Sequence, residues 1–500
     1  MTEVYKNFIN GKWCDSVSGK TFENINPADN EDIVGIFQKS CKEDVDAAFD
    51  AAFEAQKKWR LIPAPRRGEI MFNVARLMEE RKEGFARQMT REMGKVLKET
   101  RGDIQEGIDM AYYAAGEGRR MFGETVPSEM PDKFAMSVRM PLGVVSAITP
   151  WNFPMAIPSW KLMPAIVTGN TAVIKPATDT PLSVINLVKT FEDAGLPPGV
   201  LNVVTGSGSD IGYEMIANKH IKVVSFTGST EVGHTISKVC ADKMKQVSLE
   251  MGGKNAIIVM DDADLDLVLE GALWGAFGTT GQRCTATSRL IVHEKVHDQL
   301  MDMLIEKVEK LKVGDGLDET VEMGPVVSKS QLNSVYEYIQ IGKKDGANLI
   351  SGGEILKEGN YGKGFFIQPT IFTDVTPKMR IFKEEIFGPV LSVIKFKEFA
   401  DAIVMANDSD YGLSSSIYTK NVNLAFKAMT ELYTGICYIN APTIGAEIQL
   451  PFGGTKGTGN GHREAGSTAI DTFTEWKSVY IDFSGQLQKA QIDQFENKDD

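Results

Sequence analysis

Residues 44–60, DVDAAFDAAFEAQKKWR, place Val45, Ala48, Phe49, Ala52, Phe53 and Trp59 on roughly one stripe. That spacing predicts an amphipathic helix. Similar helical patterns continue to about residue 120. Between 122 and 141 the chain changes character: GETVPSEMPDKFAMSVRMP carries three prolines and a short alternating run, FAMSVR. This segment reads as an excursion away from a compact lobe.

From residue 143 the rhythm becomes short β-rich runs, GVVSAIT, TAVIK, LNVVT and IKVVSFT, separated by helix-length segments at 155–169, 179–195, 208–218 and 230–244. Strands alternating with helices imply right-handed crossovers and a parallel, doubly wound sheet. A second α/β series starts near 255 with NAIIV, a helix around 264–278, RLIV, and a long helix at 295–312. The expected fold class is therefore α/β with two doubly wound parallel-sheet lobes. EWKSVYIDF at 475–483 alternates as a strand, and its position invites pairing with the strand near 135 in a small sheet that reaches another subunit. The polar tail, 486–500, is expected to be loosely held.

Composition narrows the function. Five hundred residues at 42% hydrophobic and 24% charged suit two or more globular lobes. The net charge of −13 disfavours nucleic acid, whose binding rests on clustered Lys and Arg. No stretch reaches the ~18–20 apolar residues of a membrane span, and MTEVYKNFINGKW lacks the apolar region of a signal peptide. Five cysteines, odd in number and without a CxxC, indicate neither a disulfide framework nor a thiolate metal site, and point to a cytoplasmic protein. The five histidines do not cluster, so no metal is expected.

Several short stretches could carry chemistry, each with a plainer alternative. Two glycine turns, TGSGSDIG (205–212) and FTGSTEVG (226–233), compete as a phosphate-binding turn, the second through Gly228 and Gly233; either could also be a tight βα turn without a ligand. Lys175, at the end of an apolar strand, could reach a ribose or phosphate, or be a solvated loop lysine. Glu250 ends the VSLEM run before paired glycines; it suits a general base or a surface strand end. Asn152, in TPWNFP, could stabilise an oxyanion or simply make the turn. Cys284, in GTTGQRCTATSRL, is either a small buried residue or a nucleophile.

Taken in order, PWNFP, IKPATDTPLS, FTGSTEVG, LEMGGKN, GQRCTATSRL, EEIFGPV and PFGGTKGTG closely resemble the NAD(P)-dependent aldehyde dehydrogenase superfamily over essentially the whole chain. The resemblance implies that Cys284 is the nucleophile, Asn152 the oxyanion donor and Glu250 the base that activates water for thioester hydrolysis. For the cofactor it implies Lys175 at the adenosine ribose, Gly228, Ser229 and Gly233 around the pyrophosphate, and Glu385 with Phe387 at the nicotinamide; Trp151 and Lys161 also match positions of that site. Strict NAD users of the family usually carry Glu three residues after the lysine, where this chain has Thr178. A carboxylate there would repel a 2′-phosphate, so the substitution favours NADP, with NAD use also possible.

By the same resemblance, residues 1–121 with 142–252 form the cofactor lobe, 253–453 the catalytic lobe, and 122–141 with 473–485 an oligomerisation element of a homodimer or homotetramer. NAPTIGAEIQLPFGG (440–454) and GQRCTATSR are similar to the branch acting on α-ketoglutarate semialdehyde (2,5-dioxopentanoate). Arg283 beside the nucleophile could assist an acidic aldehyde or point away from it. Succinate semialdehyde, glyceraldehyde-type and broad aliphatic substrates stay open, although Phe153 departs from the tyrosine of the non-phosphorylating glyceraldehyde-3-phosphate enzymes. Glu250 argues against a CoA-acylating member, and the presence of Cys284, Asn152 and Glu250 together argues against a silent homologue.

Overall fold

The computed structural model describes residues 2–492, so 493–500 of the expected polar tail lie outside the described residues. Two seven-stranded sheets dominate. In the first, the strands Gln246–Glu250, Ile221–Thr227, Val144–Ile148, Thr171–Lys175 and Leu201–Val203 run parallel in that spatial order. The N-terminal hairpin, Asn7–Ile9 with Lys12–Cys14, adds antiparallel strands at one edge. The strand order reverses between Val144–Ile148 and Ile221–Thr227, and such a switch point opens a ligand crevice beyond the strands' carboxyl ends.

In the second sheet, Thr370–Thr373, Val390–Phe396, Thr287–His293, Asn255–Val259, Ser414–Tyr418 and Ile436–Ile439 are parallel, with Asn348–Ser351 antiparallel at the edge. Central strands such as Val144–Ile148 and Asn255–Val259 are buried along their whole length. Helices cover both faces of a sheet of this kind, which explains their continuous apolar runs.

The three long helices expected before residue 120 are Lys42–Trp59, Ala64–Met93 and Leu97–Glu117. In the first, Val45, Ala48, Phe49, Ala52 and Trp59 are buried, whereas Phe53 lies at the rim and stacks on His220. The single helix expected at 208–218 is two one-turn pieces, Gly208–Ile211 and Glu214–Ala217. The chain approaches itself at the junction, where a Cβ on Gly212 would stand 2.4 Å from the Gly208 carbonyl oxygen.

Thr474–Asp482 pairs antiparallel with Lys133–Pro141, which also pairs with Thr125–Pro127. Trp476 faces Arg139 in register, with the guanidinium 4.2 Å from the indole centroid. The resulting small sheet exposes Phe134, Trp476, Tyr480 and Ile481. Among the described residues no helix is long and apolar enough to cross a membrane.

Candidate active site

The turn after Val144–Ile148 carries Trp151 and Asn152 to the carboxyl edge of the first sheet. It is held from behind by a dry ion pair. Asp103 accepts from the Ala156 N–H at 2.7 Å and from Lys95 Nζ at 2.7 Å, both side chains being fully buried. The same ammonium lies 3.7 Å from the Phe153 ring centroid. Asn152, almost fully buried, donates through Nδ2 to the Gln282 carbonyl at 3.1 Å. An amide buried without a partner would cost free energy, so this bond fixes its direction.

Cys284 follows a tight turn in which Thr279 (φ 52°) and Thr280 (φ 58°) adopt the left-handed conformation. Such residues persist only when their surroundings over-determine them. Glu99 accepts from the Thr279 N–H at 2.7 Å and from its hydroxyl at 3.0 Å, and Thr280 Oγ1 donates to the Gly324 carbonyl at 2.9 Å. A Cβ on Gly281 would stand 2.2 Å from the Gly388 carbonyl oxygen, so only glycine fits there. Past the turn, Asn255 Nδ2 donates to the carbonyls of Cys284 (2.8 Å) and Ala286 (2.9 Å), while its Oδ1 accepts from the Ser414 N–H (3.0 Å).

Cys284 and Glu250 line one cavity, together with Phe153, Trp160, Thr227, Met251, Phe452 and Glu464. Burial pushes the thiol up to about 12, with further rises from the nearby Glu385 and Glu250 carboxyls. Glu250 ends the edge strand Gln246–Glu250, and its two carboxyl oxygens have no hydrogen-bond partner among the described residues. Burial raises it well above the usual carboxylate range, Glu464 adds to the rise, and Lys161 opposes it. A carboxyl so placed resists ionisation and is a stronger base than an ordinary carboxylate once it ionises.

Lys161, expected beside the cofactor, sits elsewhere. Its ammonium is ion-paired to Glu464 and donates to Ser225 Oγ at 3.1 Å in the interior beside Glu250. The reason is its place on Ala156–Val167, a helix buried along its whole length, where a cation needs a carboxylate partner.

The other cofactor candidates gather at the switch point and across from it. Ser229 caps the helix Thr230–Asp242, its hydroxyl accepting from the Val232 N–H at 3.4 Å. Gly228 N–H donates to the Glu250 carbonyl at 3.0 Å, and a Cβ on Gly233 would stand 2.3 Å from Met251 Sδ. Lys175 is buried, pushed down to about 8 by desolvation, and donates to the carbonyls of Pro176 (2.9 Å) and Gly206 (3.2 Å). The first glycine turn thus meets Lys175 through the Gly206 carbonyl, and the second meets Glu250 through the Gly228 N–H. Thr178 lies partly exposed three residues beyond Lys175, and the half-buried Asp179 has its carboxyl raised by desolvation.

From the second lobe, Glu385 accepts from the Gly253 N–H at 2.7 Å and is pushed up to about 7 by burial. A Cβ on Gly252 would lie 2.5 Å from Glu385 Oε2, which explains the paired glycines after Glu250. Phe387, at φ 56°, meets Trp151 edge-on with centroids 5.3 Å apart, closing the crevice between the lobes. Arg283 points away from Cys284 toward Glu99, which accepts from it at 3.0 Å.

Gln282, Asn255 and Glu464 were not singled out from the sequence. Their partners are 130, 29 and 303 residues away in the chain, and no local spacing records such contacts.

The profile of the aldehyde dehydrogenase family matches residues 13–479. Among curated proteins, the chain is 46% identical to an alpha-ketoglutaric semialdehyde dehydrogenase of Bacillus subtilis, over 96% of this chain and 98% of that one. It is 44% identical to a 2,5-dioxopentanoate dehydrogenase of Saccharolobus solfataricus, over 94% and 98%. Among solved structures, betaine aldehyde dehydrogenase from Staphylococcus aureus in complex with NAD+ superposes with a TM-score of 0.94 at 35% identity, covering 97% of this chain and 96% of that one. An NAD-dependent aldehyde dehydrogenase from Sinorhizobium meliloti gives 0.95 at 36% identity, over 98% and 97%. By sequence and by fold, this chain belongs to the aldehyde dehydrogenase family.

Proposed function

We propose that the chain oxidises an acidic semialdehyde of the α-ketoglutarate semialdehyde type to its carboxylate, with Cys284 as nucleophile, Asn152 as oxyanion donor and Glu250 as the base of hydrolysis. The observation that carries this reading is the meeting of Cys284 and Glu250 in one cavity, with Asn152 fixed to the loop of the nucleophile. The Cys284 thiolate adds to the aldehyde carbon, forming a C–S bond while the carbonyl π pair moves to oxygen. That oxyanion accepts from Asn152 Nδ2 and from the Cys284 N–H. Loss of hydride from that carbon, for which a bound nicotinamide would be the acceptor, lets the oxyanion collapse to a Cys284 thioester. Glu250 then takes a proton from water as its oxygen attacks the thioester carbon, and the C–S bond breaks to release carboxylate and thiol.

A nicotinamide cofactor fits the crevice. Thr149 and Thr227 place buried hydroxyls without partners at the carboxyl ends of the two strands flanking the switch point, and a capped helix starts at Ser229. When bound, the cofactor supplies the hydride acceptor. Gly228, Ser229 and Gly233 would hold its pyrophosphate, Lys175 and Thr178 its adenosine ribose, and Glu385, Phe387 and Trp151 its nicotinamide half. Thr178 in place of a carboxylate favours NADP, with NAD as the alternative.

The substrate class is supported by the relatives named for α-ketoglutarate semialdehyde and 2,5-dioxopentanoate. Division into a cofactor lobe (1–121 and 142–252), a catalytic lobe (253–453) and an oligomerisation element (122–141 and 473–485) accords with the two seven-stranded sheets and the three-stranded one. Exposed Phe134, Trp476, Tyr480 and Ile481 on the three-stranded sheet support a homo-oligomer, a dimer or tetramer. Five free cysteines suit the cytoplasm. The test is kcat/KM for acidic, neutral and phosphorylated aldehydes with each nucleotide. A preference for neutral aliphatic aldehydes removes the substrate assignment, and the absence of a Cys284 adduct with every aldehyde removes the mechanism.

A further inference from the structure

The cavity holding Cys284 and Glu250 and the larger cleft outside it share four lining residues: Glu106, Phe153, Arg283 and Gly445. These four form a neck. An aldehyde entering the inner cavity through it would leave the end remote from the reacting carbon beside these residues. Beside Gly445 the neck is open, since only the Trp274 ring comes within 4 Å of where a Cβ would stand.

Two polar side chains face this passage. Arg283 donates through Nε to Thr279 Oγ1 at 2.9 Å and through Nη2 to Glu99 at 3.0 Å, with its guanidinium 5.2 Å from the Phe153 centroid. A guanidinium has five N–H donors, so others stay available. Glu106, on the helix Leu97–Glu117, makes no hydrogen bond or ion pair among the described residues. A half-buried carboxyl that lines both cavities, with no partner in the protein, is suited to a partner on the substrate.

We propose that Glu106 donates its carboxyl proton, and Arg283 a guanidinium N–H, to the distal carboxylate of an acidic aldehyde, which makes Glu106 the specificity-determining residue of the neck. The inference rests on the acidic-semialdehyde reading above and adds the group that recognises the acid. The groups around Glu106 support the protonated state. Burial pushes it up to about 8, Asp103 and Asp109 add to the rise, and Arg283 and Lys95 oppose it. Both cations are already matched, Lys95 by Asp103 and Arg283 by Glu99. Tyr438 and Cys284, which also face this region, are themselves held in their neutral forms by burial. An ionised Glu106 would repel a carboxylate, so the preference for acids fades as pH rises through about 8.

The test compares kcat/KM for 5-oxopentanoate and for pentanal, equal in length, in wild type, Glu106→Gln and Glu106→Leu from about pH 6.5 to 9.5. Taking the ratio of the two substrates cancels the ionisation of Cys284 and Glu250, which both reactions share. In wild type the acid-to-neutral ratio is expected to fall about tenfold across this range; in Glu106→Gln, which keeps a neutral N–H donor, it stays flat; in Glu106→Leu it is already about tenfold lower at pH 6.5. A ratio unchanged or raised in Glu106→Leu, or a wild-type fall that persists in Glu106→Gln, overturns the role of Glu106 while leaving the acidic-aldehyde reading intact. If Glu106→Leu does not fold, the Glu106→Gln profile alone decides. A wild type with no acid preference at any pH removes the reading and the inference together.

Discussion

The Asn152 side-chain amide and the Gln282 main-chain carbonyl, 3.1 Å apart, join the turn after one sheet to the loop that carries Cys284. The donor that would stabilise an oxyanion is therefore aimed by the loop of Cys284, from the opposite lobe. Asn152→Ala removes the donor and leaves that carbonyl unpaired. The expected loss is about 10²–10³-fold in kcat, as for other single oxyanion donors. Steady-state kinetics with a fluorescence titration of nucleotide binding checks this, and a loss below about tenfold would take Asn152 out of the role.

Separating the two carboxyl-dependent halves of the reaction is direct. Glu250→Gln keeps the side chain's size in a cavity where both oxygens lack partners, so the fold tolerates it. The variant is expected to give one equivalent of reduced nucleotide in a burst and then stall, with the acyl group detectable on Cys284 by mass spectrometry. Cys284→Ala gives no burst and no adduct. Steady turnover by Glu250→Gln at a wild-type rate would assign hydrolysis to another group.

The thiol of the free protein, pushed up to about 12, is protonated throughout the neutral range. Its thiolate fraction, and with it the rate of alkylation by iodoacetamide, grows about tenfold per pH unit between 7 and 10 without reaching a plateau. Removing a neighbouring negative charge moves the thiol down. Glu385→Gln therefore speeds alkylation at pH 8, since Glu385 comes first after burial among the causes of the rise. A plateau below pH 8 in wild type would show an activated thiolate before any ligand binds.

Thr178 tests the cofactor assignment. Placing a carboxylate three residues after Lys175, as in Thr178→Glu, puts a negative charge where a 2′-phosphate would bind and an acceptor where a 2′-hydroxyl would bind. The expected outcome is at least a tenfold fall in kcat/KM for NADP, about 1.4 kcal/mol, with NAD use kept or improved. Equal effects on both nucleotides would place the adenosine ribose elsewhere.

How much of this was legible in the sequence depended on the range of the contacts involved. The helices Lys42–Trp59 and Glu294–Lys310 and the strands Asn255–Val259 and Thr287–His293 are written in local periodicity, and they stand where the spacing placed them. The N-terminal strands Thr21–Asn26 and Asp29–Gln38 were not foreseen, because their alternation is broken by two register shifts. At the site, Cys284, Glu250 and Asn152 could be picked out by residue type in short motifs. Their geometry could not. It depends on Asn255 holding the Cys284 carbonyl and on Glu99 holding Thr279, contacts 29 and 180 residues apart. Lys161 was misplaced for the same reason: only the fold shows that its partner is Glu464.

That pairing yields the last prediction. The Lys161 ammonium opposes the rise of Glu250 that burial and Glu464 impose. Lys161→Met leaves Arg463 as the remaining cation opposing the rise, so Glu250 moves further up and a smaller fraction is ionised at pH 7.5. Each unit of rise costs tenfold in base, about 1.4 kcal/mol. Hydrolysis of the thioester slows, whereas attack by Cys284 does not need Glu250 ionised. The acid limb of kcat is therefore expected to move to higher pH, while that of kcat/KM stays nearly in place. Adding Glu464→Gln removes the second acid and should return part of the shift, giving a double variant with more normal kcat than the single one. If the two changes simply add, Lys161 acts through stability rather than through the charge on Glu250.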